Sequence, residues 1–146
     1  MANYFIATVC YQQQQENGNQ KTVSEQYLID ALSFTEAEAR TIEELTPYNG
    51  DFKISQIVKS RIAELMLSKS LSADRYYKVK VTFIFIDEKS GAEKNTNDCM
   101  LVQASDFKNA YDRFIEGMKG TMQDYEISSI VETKIMEYFP AKHAEK

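Results

Sequence analysis

The sequence has few of the residues on which metal, thiol and disulfide chemistry depends. Its 146 residues include two cysteines, Cys10 and Cys99, one histidine and no tryptophan. A zinc site or a thiol–histidine pair needs more of these ligands than the chain holds, so we expect no metal and no cofactor. Each cysteine lies in or beside an apolar run that predicts a strand, and we expect both to be reduced, buried and structural.

Proline, glycine and long apolar runs are also scarce. Two prolines and five glycines are too few for a collagen-like, low-complexity or disordered chain. No apolar run approaches the ~20 residues needed to cross a bilayer, and the N-terminus lacks a basic segment followed by an apolar core. We therefore expect a cytoplasmic protein with no membrane partner.

Charge and motifs exclude further classes of function. The net charge of −5 divides into −3 for residues 1–73 (6 basic, 9 acidic) and −2 for residues 74–146 (11 basic, 13 acidic). Neither half carries the positive excess expected of a protein that holds duplex DNA by its phosphates. Phosphate-binding loops, dinucleotide motifs and nucleophile elbows are missing. We therefore expect no catalytic residues and no enzyme activity.

The two halves of the sequence are similar to each other. When each residue from 4 to 66 is paired with the residue 73 positions later, 17 of the 63 pairs are identical, against about 6% expected by composition. This constant spacing predicts an internal duplication within a single pseudo-twofold domain. The predicted parts of domain 1–146 are repeats 4–67 and 76–140, a linker 68–75 and a flexible tail 141–146.

Each repeat opens with an extended run rich in β-branched and aromatic residues, Tyr4 to Tyr11 or Tyr76 to Ile86, which predicts a strand. The first of these runs is apolar on both faces, so we expect it to be central in its sheet. Asn17-Gly18 and Ser90-Gly91 then mark hairpin turns, and apolar return strands follow them.

A helix follows in each repeat, capped by Ser33 or by Asp106. In the second repeat an apolar stripe with helical spacing comprises Phe107, Ala110, Tyr111, Phe114, Ile115 and Met118. The residues expected to end the helices are Pro47 and Gly50 in the first repeat and Gly117 and Gly120 in the second.

The last element of each repeat is ambiguous, because its apolar residues fit both a helix and a long bent strand with a bulge. β-branched residues and serine in 54–58 and 127–131 favour the strand. The predicted fold class is therefore α+β, a tandem duplication of a β-β-α-β unit with a mainly antiparallel sheet and one helix per repeat. The third strand is expected to return beside the first, in the order 3-1-2.

Aromatic residues accompany lysines in the first strands and form a candidate binding surface. Such rings can stack on the bases of single-stranded nucleic acid while lysines meet the phosphates. The alternative is that the rings pack in the core, and strand alternation favours it by placing most rings opposite the lysines. The candidate nucleic-acid or partner contacts are Tyr4, Tyr11, Tyr76, Lys78 and Lys80.

Other polar residues have simpler explanations. The acidic residues of the first helix and second hairpin are best explained as solvated surface; they are Glu36, Glu38, Glu43, Glu44, Asp87 and Glu88. Four polar pairs are retained in both repeats and predict a structural role that both repeats share; they are Ser55 with Ser128, Glu64 with Glu137, Arg40 with Arg113 and Lys21 with Lys94.

Several segments resemble a known family. They are 27–40 in the first half and 87–94, 100–107, 116–122 and 124–127 in the second. Over about residues 4–140 the chain resembles an uncharacterised domain-of-unknown-function family of small proteins encoded by gut anaerobes, their phages and mobile elements. The resemblance supplies no site residues. It implies an accessory protein of DNA replication, recombination or host takeover, in the host-cell cytoplasm if a phage encodes it.

Three hypotheses of function follow. The first is a non-enzymatic accessory protein that acts by protein–protein contact, as a homo-oligomer or with another protein. The second is binding of single-stranded nucleic acid on an aromatic sheet face. The third is an enzyme or small-ligand binder, which would need a deep pocket lined by polar groups from both repeats. The apolar character of both faces of the first strand, together with the lack of any chemical motif, favours the first.

Overall fold

The computed structural model describes residues 3–47 and 51–141, and over these ranges the order β-β-α-β-β occurs twice. The first half contains β1 (Tyr4–Gln14), β2 (Gln20–Asp30), α1 (Phe34–Leu45), β3 (Lys53–Lys59) and β4 (Ile62–Met66). The second contains β5 (Arg75–Ile86), β6 (Glu93–Ala104), α2 (Phe107–Gly117), β7 (Asp124–Glu132) and β8 (Ile135–Phe139). The α+β class is confirmed. Neither helix within the described ranges has the length and apolar content to span a membrane.

The chain forms two units whose sheets exchange their last strands. One unit runs to Ser60 and resumes at Lys134, and the other is Arg61–Thr133. The first sheet has the order β3-β1-β2-β8 and the second β4-β6-β5-β7. Strand β4 therefore belongs to the sheet of the second half, and β8 to the sheet of the first.

The predicted order 3-1-2 is confirmed for the first three strands of each half, and β1 is central as expected. Four pairings are antiparallel, whereas the exchanged strands pair in parallel. The prediction of one long last strand was wrong. The backbone N–H of Ser60 donates to the carbonyl of Tyr4 at 2.7 Å, and that of Thr133 donates to Tyr76 at 2.8 Å. The pairing of β3 with β1 ends at Ser60, and that of β7 with β5 ends at Thr133. The strand that follows each of these residues joins the other sheet.

Both predicted turns and both predicted caps are present. Gly18 and Gly91 have φ of 85° and 71°, a left-handed conformation that favours glycine in a tight hairpin. Ser33 and Asp106 each accept a hydrogen bond from the backbone N–H three residues later, at 3.1 and 2.7 Å. The local sequence therefore decided where the hairpins turn and where the helices begin.

The apolar stripe of α2 is narrower than its sequence spacing predicts. Ala110, Phe114 and Met118 are buried, whereas Phe107 and Tyr111 are 58% and 45% exposed. The fully buried set follows i, i+4, i+8, and Ile115 beside it is partly buried against the same core. Helix α1 ends before Pro47 and α2 ends at Gly117, as predicted; Gly50 and residues 142–146 of the expected tail lie outside the described residues.

Each helix packs on one face of its sheet, which we call the helix face. In the first unit the core on this face comprises Phe5, Ala7, Val9, Tyr27, Ile29, Ala31, Ala37, Leu45 and Phe139. In the second it comprises Val79, Val81, Met100, Val102, Phe114 and Met118.

The retained serines are bulge residues. Thr8 opposes Gln56 and Val9 opposes Ile54, so Ser55 is the extra residue of β3, and Ser128 is the extra residue of β7 in the same way. The Oγ of Ser55 donates to the carbonyl of Thr8 at 3.2 Å. The predicted bulge is confirmed in both strands, whereas the side-chain partners differ, since the Oγ of Ser128 lies 3.0 Å from the Oγ1 of Thr82.

The retained arginines bind the exchanged strands. Nη2 of Arg40 donates to the carbonyl of Pro140, one residue after β8. Nη2 of Arg113 donates to the carbonyl of Leu67, one residue after β4, at 2.7 Å. Each helix thus holds the end of the strand that its unit receives from the other half of the sequence.

Candidate interaction surfaces

The predicted contact residues of the first unit are half-buried and lie on opposite faces of β1. The ring of Tyr4 meets that of Tyr138 edge to face at a centroid distance of 6.2 Å. The hydroxyl of Tyr11 donates to the carboxylate of Glu25. Alternation along the strand places Tyr11 on the helix face and Tyr4 on the other, so this strand does not present them as one platform.

The predicted contact residues of the second unit share one face of β5. Lys78 and Lys80 are exposed, whereas Tyr76 is only 5% exposed. The lysines neighbour exposed Ser129 and Val131 of β7. The structure therefore brings the two cations together, and it buries the ring that was expected to stack beside them.

In the first unit the carboxylate of Glu25 accepts hydrogen bonds from two tyrosines, Tyr11 and Tyr27. Tyr27 is 6% exposed, donates weakly to Glu25 at 3.4 Å and stacks on Phe139 with ring centroids 5.4 Å apart. Burial, followed by the negative charge of Glu25, raises the pKa of Tyr27 to about 12. The hydrogen bond to Glu25 raises the pKa of Tyr11 as well.

The raised pKa of Tyr27 predicts a loss of stability at alkaline pH. A tyrosine that binds its proton more tightly when folded contributes stability below its unfolded pKa of about 10 and loses it as the pH rises towards 12. We expect the free energy of unfolding to fall by about 2–3 kcal/mol over this window. Urea titrations at pH 8, 10, 11 and 12 measure it. Tyr27→Phe should remove most of the loss, whereas the exposed Tyr111→Phe should leave it; an equal loss in Tyr27→Phe would contradict the assignment.

Both cysteines are free thiols, and both are half-buried rather than buried. The Sγ of Cys10 lies 3.2 Å from the Oγ of Ser24, on the face of β1 opposite the helix. Hydrogen bonding with Ser24 and then with Ser55, together with the charge of Lys53, lowers the pKa of Cys10. Within residues 3–47 and 51–141, no three acidic, cysteine or histidine side chains come together as a metal site.

An exposed apolar cluster lies at the hairpin end of the second unit, and sequence reasoning did not identify it. A cleft of about 430 Å³ is lined by Ile84, Phe85, Ile86, Glu93, Met122, Gln123 and Asp124. Phe85, Ile86 and Met122 are 40%, 70% and 98% exposed. The available signal was the consecutive apolar pair Phe85-Ile86, where the alternation of β5 ends in a polar turn.

The rim of this cleft is acidic. Glu93 is the cross-strand partner of Ile86, and Asp124 is that of Ile84. Nearby, Asp87 forms an ion pair with Lys94 at 3.0 Å. A backbone hydrogen bond from Lys89, and then the bond from Lys94, lower the pKa of Asp87, which keeps it ionised in the neutral range.

The outer strands β3 and β7 carry opposite charges. Strand β3 contains Lys53 and Lys59 and no acidic residue, whereas β7 contains Asp124, Glu126 and Glu132 and no basic one. Glu132 lies 3.7 Å from Arg75, with both side chains 52% exposed, and such exposed pairs are weak. The two edges therefore present charges of opposite sign to solvent.

Comparison with known families gives one match. A family model described as Domain of unknown function (DUF4494) matches residues 3–141. Because the match spans nearly the whole sequence, the chain belongs to this family. No curated protein and no solved structure matches the chain.

Proposed function

We propose that this member of a domain family of unknown function is a non-enzymatic accessory protein that acts by binding another protein. The observation that carries the proposal is the cleft formed by Phe85, Ile86 and Met122. Apolar side chains exposed singly are ordinary on protein surfaces, but a cluster of them around a concave site is typical of a contact with another protein.

The charges around the cleft indicate the chemistry of the partner. Glu93 and Asp124 stand beside the apolar side chains, and complementary charges at the rim of an interface steer association and select partners. A partner segment with one or two large apolar side chains flanked by lysine or arginine fits this surface best. The apolar side chains would supply the affinity, and the flanking charges the selectivity.

The setting of this binding is part of the proposal. The resemblance to proteins of phages and mobile elements supports a role beside DNA replication, recombination or host takeover in the cytoplasm of the host cell.

We also infer a tandem duplication of a β-β-α-β unit. The 17 identities at a spacing of 73 support it, as do the equivalent caps, bulge serines and arginine bonds of the two halves.

Binding of single-stranded nucleic acid on the sheet is the second candidate. The exposed Lys78 and Lys80 favour it, because two neighbouring cations can contact a phosphate backbone. Affinity of this kind draws heavily on stacked rings, and the burial of Tyr76 removes one from this face. The lysines alone therefore support this function less strongly than the cleft supports protein binding.

Disruption of the cleft tests the proposed function. We expect the double variant Phe85→Asp, Ile86→Asp to lower capture of the partner at least about tenfold, because apolar anchors dominate interface energies. The measurement is affinity capture from nuclease-treated cells that express the tagged protein, with quantitative mass spectrometry.

The control is Leu71→Asp, which changes a fully exposed residue in the 67–74 connection of the same unit. It should capture the partner as the unchanged protein does. Thermal unfolding verifies that both variants are folded. Equal capture by the cleft variant and the control would show that the cleft is not the binding site.

A further inference from the structure

The charged outer strands point to a contact between copies of this protein. We propose that copies associate head to tail, with β3 of one copy against β7 of the next. The contact shares only Asp124, the first residue of β7, with the lining of the cleft, and it does not depend on the proposed function. Its occupant is a second copy of this chain, because one chain carries both the basic and the acidic edge.

Strands β3 and β7 occupy equivalent positions in the two repeats, and this equivalence determines how their charges interact when two edges pair. Lys53 and Glu126 are 73 residues apart, as are Lys59 and Glu132, and both strands carry a bulge at the equivalent serine. Pairings of β3 with β3, β7 with β7 and β3 with β7 therefore place these four positions at similar separations. Only the sign of the interaction differs: the first two pairings oppose like charges, and the mixed pairing opposes unlike charges.

The edge of β3 is open to a partner. On one side β3 pairs with β1, and the described residues place no strand on its other side. Gln56, Val58 and both lysines are exposed. A cleft of about 350 Å³ is lined by residues of α1 and of this strand.

The edge of β7 is open in the same way. It pairs with β5 on one side and with no described strand on the other. Ser129 and Val131 are exposed, and Val131 and its counterpart Val58 add exposed apolar surface to the two edges. A β3 strand of another copy that approaches this edge thus meets acidic side chains and Val131, which occupies the position equivalent to Val58.

The bulges explain why charge decides the partner. A regular exposed strand pairs with almost any other edge, and bulges reduce this tendency by interrupting the ladder. With Ser55 and Ser128 out of register, the backbone alone offers only short runs of hydrogen bonds. Attraction between the lysines and the glutamates then favours the mixed pairing over the two like-charged ones.

A contact between two different surfaces does not close on itself in a dimer of twofold symmetry. Each added copy leaves one free β3 and one free β7, so the assembly grows until it closes as a ring or continues as a filament. We therefore expect species larger than a dimer as the protein concentration rises, and a smaller average mass at high salt, where surface charges are screened.

Sedimentation of charge-reversed variants tests the proposal. In Lys53→Glu, Lys59→Glu both edges are acidic, and in Glu126→Lys, Glu132→Lys both are basic. We expect each variant alone to associate about tenfold more weakly than the unchanged chain. An equimolar mixture of the two should recover the association, because β3 of each variant then faces a β7 of opposite sign on the other.

Matched controls separate the edges from net charge. Lys21→Glu, Lys89→Glu changes exposed lysines away from both edges and moves the net charge from −5 to −9, as the β3 variant does. Glu16→Lys, Glu88→Lys matches the β7 variant at −1. Both controls should associate as the unchanged chain does.

The outcomes decide the proposal in either direction. Recovery in the mixture and normal association of the controls support it. An unchanged chain that stays monomeric at every concentration overturns it, and so does a variant that associates like the unchanged chain or a mixture that does not recover. Circular dichroism verifies folding. If one variant does not fold, the other variant and the salt dependence of the unchanged chain decide the question.

Discussion

Replacement of Phe114 by alanine is expected to lower the free energy of unfolding by about 3–5 kcal/mol. The side chain is 0% exposed and lies in the core of the second unit, where its ring meets that of Tyr125 edge to face at 6.1 Å. The substitution removes a large apolar surface from the core and leaves a cavity that neighbours on rigid strands fill poorly.

Urea unfolding followed by circular dichroism measures the effect of Phe114→Ala, with the free energy extrapolated to water. The matched control is Phe107→Ala on the same helix. Because the Phe107 ring is mostly exposed, its removal should change the free energy by less than about 0.5 kcal/mol. Similar losses in the two variants would contradict the burial of Phe114 and the exposure of Phe107.

Arg40→Ala is expected to lower the free energy of unfolding by about 2–4 kcal/mol. Arg40 is 4% exposed. Its Nη1 binds Glu44 at 3.0 Å, and its Nη2 binds the carbonyl of Pro140. The substitution leaves both partners without their donor and opens a cavity.

Two comparisons isolate the contribution of the arginine to holding β8. Arg113→Ala should cost less, because that side chain is only half-buried. Arg40→Met fills the space without the hydrogen bonds and should recover part of the loss, since the buried Nε of Arg40 has no hydrogen-bond partner and its desolvation is already unfavourable. Hydrogen exchange of the β8 amides should quicken in Arg40→Ala; unchanged exchange there would contradict a role in holding the strand.

Local features could be predicted from the sequence, because they depend on neighbours along the chain. Gly18 and Gly91 mark the turns through their backbone freedom, and Ser33 and Asp106 mark the helix starts through their side-chain acceptors. The bulges could also be expected, since runs of β-branched residues interrupted by serine suit a strand that bends.

The exchange of β4 and β8 could not be predicted, because it is decided by distant partners. Both segments begin with isoleucine and share a glutamate two residues later. Either segment therefore suits the edge of either sheet, and propensity contains no information about which one it joins. The arginine bonds to Leu67 and Pro140 depend on this choice, so their geometry was equally hidden.

The candidate surfaces were predicted incompletely for a related reason. Alternation identified the face that Lys78 and Lys80 share, but it did not show that Tyr76 on that face is buried. Nor did it show that Phe85 and Ile86 lie where the core of the second unit ends. Whether a strand residue is exposed depends on how far along the strand other elements pack against it. The alternation of residues in the strand's own sequence does not show this.

The exchanged strands also govern when the protein can finish folding during its synthesis. The ribosome releases β1, β2, α1 and β3 first, yet β2 keeps an unpaired edge until β8 has emerged. The first sheet to start is thus completed by a strand of the second half, through contacts that span more than 100 residues, and such distant pairings form slowly. The nascent chain carries this open strand edge while β4 to β7 are made, and β8 is the strand that closes it.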